Sequence, residues 1–271
     1  MAGALAARDL WGAASPQATD IVHLGPDKVR LTRLAIGTGT KGGSRQRLLG
    51  VDGLADLLHF GVDQGLAFWD SADMYQTHPH IRQALTQVKR EKVAILTKTR
   101  AHTADEMRAD LDRFRKELNT DYLDIVLLHA CRVPNWTEER KGAMEVLAEA
   151  REKGIVRTHG CSCHSLEALQ TSAKTPWVHV QLARINPAGI LMDADPATIG
   201  GVLRQIKAAG KGVIGMKILG EGQLRDRIDE ALKYALSLNC VDCFTIGPEN
   251  RQELADLIKR IAAAGELAKA A

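Results

Sequence analysis

The 271-residue sequence has no run of about 18 apolar residues, so no segment of it is built to cross a bilayer as a helix. It also has little net charge. Its 36 basic residues are scattered among 33 acidic ones for a formal charge of +3, and without a basic stripe nucleic acid is not expected as a partner. The five cysteines are an odd number, and Cys161-Ser-Cys163 and Cys240-Val-Asp-Cys243 lack further Cys or His ligands at metal-site spacing. They predict reduced structural thiols in a cytoplasmic protein, with no bound metal. The first twenty residues, MAGALAARDLWGAASPQATD, are alanine-rich but lack the apolar stretch of a secretion signal. Ala13-Ala14-Ser15 has the small residues that end a trimmed leader, and residues 1–20 read as an N-terminal surface extension. No internal repeat or low-complexity segment interrupts the rest.

What is present is a rhythm. Apolar runs near 31–36, 66–69, 93–97, 124–128, 155–160, 178–185, 213–218 and 242–246 alternate with amphipathic stretches at 51–64, 78–89, 104–117, 138–153, 165–173, 197–209, 224–237 and 250–263. Eight strand-helix units predict an α/β fold, a (β/α)8 TIM barrel spanning 21–271 as a single domain. The chain length is close to the ~250 residues typical of one barrel. Residues 21–30, IVHLGPDKVR, read as two short strands around a Gly25-Pro26-Asp27 turn, a β-hairpin placed to close the barrel bottom. Thr103 with Glu106 forms a capping-box signal, and Gly154 and Gly210 follow helix ends.

Asp70, Tyr75, Lys98 and His129 fall at or just beyond the C-terminal ends of the successive runs LAFWD, VAILTK and DIVLLHA. A parallel barrel gathers those ends at one mouth, where active sites of such folds lie. Each residue alone has a plain structural reading: a helix cap, a packed loop aromatic, a solvated strand-end charge, a hydrogen-bonded core imidazole. Together, in order and register, an acid, a phenol, an ammonium and an imidazole make a proton-transfer set. A free tyrosine, with a pKa of about 10, gives up its proton reluctantly. A charged Lys98 beside it lowers that pKa, Asp70 keeps the lysine charged, and His129 orients a carbonyl oxygen. The run from Gly37 to Gly42 matches G-x-G-x-x-G, but SRQRLLG separates it from the next helix, so it reads as a strand-end loop and not as a dinucleotide fingerprint.

The stretch from Phe68 to Tyr75, with Lys98 in LTKTR and His129 in LLHA, resembles the aldo/keto reductase family, and the resemblance runs from the hairpin to the final helix. It implies a nicotinamide-dependent oxidoreductase that reversibly reduces a small aldehyde or ketone, with Tyr75 as proton donor and NADPH or NADH as cofactor. The cofactor-binding positions implied are Gly37, Thr38, Asp70, Ser162, Gln181, Met216, Leu219, Gly220, Gly222, Leu224, Gly247 and Arg251. Ser162 is followed by Cys163 where the family carries Asn, and Met216 stands where many members place an aromatic. Arg251 is the one cation among Glu249 and Glu253 in the segment implied for a 2′-phosphate, so a weak NADPH preference, or use of NADH, is expected. Two alternatives stay open on the same scaffold: a nucleotide-binding regulatory subunit, and a lyase that uses Tyr75 and Lys98 without a redox step. The sequence leaves the oligomeric state unassigned.

Overall fold

The computed structural model describes residues 15–269, with side chains to residue 267, so Ala13-Ala14 and the rest of the first fourteen residues lie outside the described part. A hairpin of β1 (Ile21–Leu24) and β2 (Val29–Thr32) precedes eight barrel strands. These are β3 (Leu34–Gly37), β4 (Phe68–Asp70), β5 (Ala94–Thr99), β6 (Leu123–Cys131), β7 (Val156–Cys163), β8 (Val180–Arg184), β9 (Gly212–Met216) and β10 (Cys243–Ile246). Every barrel pairing is parallel, and β10 closes onto β3. The helices are α1 (Ser44–Arg47), α2 (Gly50–Asp63), α3 (His78–Ala84), α4 (Ala104–Leu118), α5 (Trp136–Glu139), α6 (Lys141–Glu152), α7 (Leu166–Lys174), α8 (Pro196–Ala208), α9 (Ile228–Ser237) and α10 (Arg251–Lys269). None of the described helices is long and apolar enough to cross a membrane.

Alternation along each strand divides the core into two layers. Ala35, Phe68, Leu96, Ile125, Leu127, Leu182 and Ile214 fill the barrel, whereas Ile36, Trp69, Ile95, Val126, Leu128, Ala183 and Val213 face the helices. Leu24, Val29 and Leu31 of the hairpin belong to the inner layer, so the hairpin does close the bottom. Leu24 and Leu31 are fully buried, each worth about 1.5–3 kcal/mol of apolar burial. Its turn is tied down by Asp27, whose carboxylate accepts hydrogen bonds from Arg151 at 2.9 Å and Thr158 at 2.6 Å and meets His179 at 2.6 Å.

Local chemistry moves several expected boundaries. The run 31–36 is divided because Leu31 and Thr32 end the hairpin, and Arg33, paired with Asp20, turns the chain into β3. Residues 15–20 pack against the barrel: Ala18 is buried, and its carbonyl accepts from the Leu34 N–H at 2.9 Å. The helix read over 78–89 stops at Ala84, where the Thr86 hydroxyl donates to the Gln83 carbonyl at 2.7 Å in the last turn. The stretch 138–153 becomes α5 and α6 because Arg140 leaves helical geometry and donates to the His129 carbonyl at 3.1 Å. The capping box of Thr103 and Glu106 forms, and Gly154 and Gly210 adopt left-handed φ values of 73° and 79° after their helices.

Candidate active site

Strand alternation aims three of the four residues into the mouth. Phe68 and Asp70, Leu96 and Lys98, Leu127 and His129 each stand two apart on their strands, sharing the barrel-facing side. Tyr75 comes from the short 3-10 turn Asp73–Tyr75 that follows β4. The Lys98 ammonium is fully buried and donates to Asp70 Oδ1 and to the Ser71 carbonyl, both at 2.5 Å. It lies 4.7 Å from the centroid of the Tyr75 ring, and the His129 ring meets Tyr75 edge-on at 5.8 Å.

Charge and burial then set the protonation states. Burial pulls the Lys98 ammonium down, but the combined pull of Asp70 and Tyr75 carries it above its ordinary value. Burial pushes the Tyr75 phenol up, and the charge of Lys98 opposes this without reversing it. The expectation of a lowered tyrosine pKa is therefore corrected: desolvation outweighs the ammonium, and the phenol keeps its proton near neutrality. Burial, then the charge of Lys98, holds the His129 imidazole down at about 2, so it is neutral. Its buried Nδ1 has no hydrogen-bond partner among the described residues.

A cavity of about 520 Å³ runs outward from Asp70 and Tyr75 between the ends of β3, β9 and β10. Of the positions implied for a cofactor, Gly37, Asp70, Met216, Leu219, Gly222 and Gly247 line it. The others lie elsewhere. Thr38 is buried behind Asp70, where its hydroxyl donates to the Asp70 carbonyl at 3.0 Å and meets the Thr77 hydroxyl at 2.7 Å. Gln181 is out by one position of register: it faces α7, donates to the Leu182 carbonyl at 2.9 Å and accepts from Ser172, while Leu182 points inward. Ser162 shares the inward face with Leu182, but its hydroxyl oxygen accepts the Ala130 N–H at 2.9 Å. Gly220 packs against Ile190, and Leu224 is buried in the helix layer. Arg251 leaves the cavity altogether, its guanidinium lying 5.7 Å from the Phe60 ring centroid.

Two contributors, Thr245 and Arg45, were missed, and a third, Gly39, was read only as part of the strand-end loop at the mouth. Thr245 donates to Asp70 Oδ2 at 2.9 Å, and a Thr at an inward strand end was the available signal. Gly39 packs on the Tyr75 ring so closely that a Cβ there would lie 2.3 Å from its Cε2. Arg45 lines the cavity and donates from Nε to Glu249 at 2.9 Å, beside Lys41, Lys217 and Arg225 in the same lining. Glu253 also lines it but serves the start of α10, accepting from the Glu249 N–H at 2.8 Å.

The residues fit a bound nicotinamide dinucleotide in part. Glycines and four cations along the cavity suit a chain of phosphates, and the Asp70, Tyr75, Lys98 and His129 cluster closes its inner end. The carboxamide partners expected from Gln181 do not reach it.

Comparison with known proteins agrees with this architecture. A Pseudomonas aeruginosa protein that bears the aldo-keto reductase name provisionally superposes with a TM-score of 0.78 at 20% identity, covering 92% of this chain and 97% of that one. The Bombyx mori aldo-keto reductase AKR2E4, solved in complex with NADP, gives a TM-score of 0.69 at 16% identity over 94% and 93% of the two chains. At these identities the likeness is one of fold. In sequence, an NADPH-dependent alpha-keto amide reductase of Saccharomyces cerevisiae is 26% identical over 141 residues, 49% of this chain. That match spans 44% of the yeast protein, less than half its length. The aldo/keto reductase family profile matches residues 33–264, from the first barrel strand into the last helix, and the chain belongs to that family.

Proposed function

We propose that the protein is a carbonyl reductase that uses a reduced nicotinamide nucleotide to convert a small aldehyde or ketone to an alcohol, with Tyr75 as the proton donor. The observation that carries this reading is the buried Lys98–Asp70 pair set 4.7 Å from the Tyr75 ring, with His129 at its edge. Membership of the family and the named activity of the yeast relative support the same reaction type.

The bound nucleotide would supply hydride to the carbonyl carbon. This chain's own residues handle the proton. Tyr75 holds it at neutrality, because burial raises the phenol above its ordinary value. Lys98 stabilises the phenolate left after transfer, which favours the step only as negative charge develops on the ring oxygen. Asp70, with Thr245 on its other oxygen, keeps Lys98 charged and in place. Neutral His129 donates to the carbonyl oxygen from Nε2, leaving its unpartnered Nδ1 as a lone pair, the cheaper atom to bury unsatisfied.

Gly37, Gly222 and Gly247 allow a phosphate chain to approach the backbone, and Lys41, Arg45, Lys217 and Arg225 offset its charge. The cofactor is NADPH or NADH. Arg45 supports NADPH, while Glu249 and Glu253 in the same lining weaken the preference to within about tenfold, or 1.4 kcal/mol. Titration with both nucleotides, followed by the fluorescence of the four tryptophans, and then a carbonyl panel test the proposal. Tyr75→Phe should keep nucleotide binding and lose roughly 10²–10⁴ in reduction rate. Retained turnover would overturn the donor assignment, and nucleotide binding with no hydride transfer from the native protein would point to a regulatory subunit instead.

A further inference from the structure

A basic arc occupies the half of the mouth that the dinucleotide cavity leaves free. Arg100 follows the end of β5, Arg132 the end of β6 and His164 the end of β7, while β8 finishes on Arg184. These four strands are consecutive neighbours in the closed barrel, so the four groups stand side by side at one rim. None of them lines the cavity between β3, β9 and β10.

The acidic residues of the mouth are already engaged: Asp70 by Lys98, Asp73 by Arg113, Asp193 by Arg184 and Glu221 by Lys217. Arg100 and Arg132 are exposed and have no acidic partner among the described residues. Among the described residues the Arg100 side chain donates to the Met74 sulfur, at 3.5 Å, one residue before Tyr75. His164 sits edge-on to His129 with ring centroids 6.3 Å apart. Burial and then the charges of Arg184, Arg132, Lys217 and Arg100 hold it down at about 3, so it is a neutral ring that feels those cations.

We propose that this arc holds an anionic group on the carbonyl substrate, so the preferred substrate is a short aldehyde or ketone carrying a carboxylate or a phosphate. The inference rests on the reading of Tyr75 and His129 as the reacting end. The carbonyl lies against those two rings, and the anion lies one ring further out, against His164, Arg100 and Arg132. A chain of about four carbons bridges that spacing. Two arginines offer planar forks that match a carboxylate or phosphate, and free positive charge at a cleft steers anions toward it.

The kinetic test compares 4-oxobutanoate with its methyl ester, which keeps the aldehyde and removes the charge. The acid should have a kcat/KM about tenfold or more above that of the ester, the worth of one charge-assisted contact, and high salt should erode the difference. Arg132→Met and Arg100→Met should lower the acid toward the ester and leave the ester unchanged. Glyceraldehyde 3-phosphate against glyceraldehyde separates a phosphate preference from a carboxylate one. A second readout needs no turnover: butanoate, but not butanamide, should shift the His164 ring signals in magnetic resonance titrations, and the double arginine variant should abolish the shift. Equal kcat/KM for acid and ester, or no charge-dependent shift, overturns the anion site and leaves the reductase reading standing. A butanoate shift in a protein that reduces neither aldehyde keeps the anion site and overturns the reductase reading.

Discussion

The Asp70–Lys98 pair can be tested apart from catalysis, because its burial makes it a matter of stability as well. Lys98 is fully buried and Asp70 is 5% exposed, so each charge depends on the other. In Lys98→Met, Asp70 keeps only the Thr245 hydroxyl on Oδ2, and Oδ1 loses its ammonium. Breaking one side of a buried ion pair costs about 3–5 kcal/mol. At roughly 2–4 °C per kcal/mol for a domain near this size, the melting temperature should fall by about 6–20 °C. Asp70→Leu should cost a similar amount, since it leaves the buried ammonium with the Ser71 carbonyl and the Tyr75 ring but no carboxylate. Carrying both substitutions removes both charges, so the penalty of a stranded charge disappears and what remains is a hydroxyl and a carbonyl short of a partner, about 1–3 kcal/mol each and one of them already lost in each single variant. The double variant should therefore be more stable than either single one while all three lack reductase activity. Urea and thermal melts of the four proteins close the cycle. A double variant destabilised by the sum of the singles, about 6–10 kcal/mol, would refute the pair as mutually dependent.

The other predictions follow from the site's surroundings. Gly39→Ala puts a Cβ 2.3 Å from Tyr75 Cε2 and 2.9 Å from its hydroxyl, so the ring must move, and kcat should drop by up to about 10²-fold with nucleotide binding kept. An unchanged kcat would show that this loop does not place the donor. Arg45→Met should weaken NADPH more than NADH; equal weakening would assign Arg45 to Glu249 and α10 alone. Burial foremost holds the folded-state pKa of His129 at about 2 and those of His159 and His164 at about 3. Below about pH 6.5 the unfolded chain takes up protons that these folded imidazoles refuse, so this contribution is full above that pH and is lost as pH falls toward the folded values. From pH 7 to 5 each histidine should account for about 2 kcal/mol, roughly 6 kcal/mol together. Denaturant midpoints that stay level over that range would contradict the buried neutral state.

Asp70, Lys98 and His129 could be found in the sequence because each ends an apolar run with a polar group, and a charge inside a barrel strand is tolerable only at the open mouth. Tyr75 followed from its short distance to Asp70. Gln181 failed for the opposite reason. In a parallel barrel both faces of a strand are buried, and the one amide in VQLA is as readily satisfied against a helix as in the mouth, so hydrophobicity does not say which residue points in. Arg45 was hidden because its meeting with Glu249 is set by barrel closure across 204 positions, which no local pattern records. The strand nevertheless carried its own marker of facing. Arg184 ends β8 in register with Met216 of the inner layer, and a guanidinium there has to point into the open mouth. With Arg184 inward, Leu182 and Val180 must be inward too and Gln181 outward toward Ser172, as found. The same parity that removes Gln181 from the nucleotide site therefore puts Arg184 on the rim beside His164, which makes the strand-end charge, rather than the buried amide, the residue of β8 to test for function.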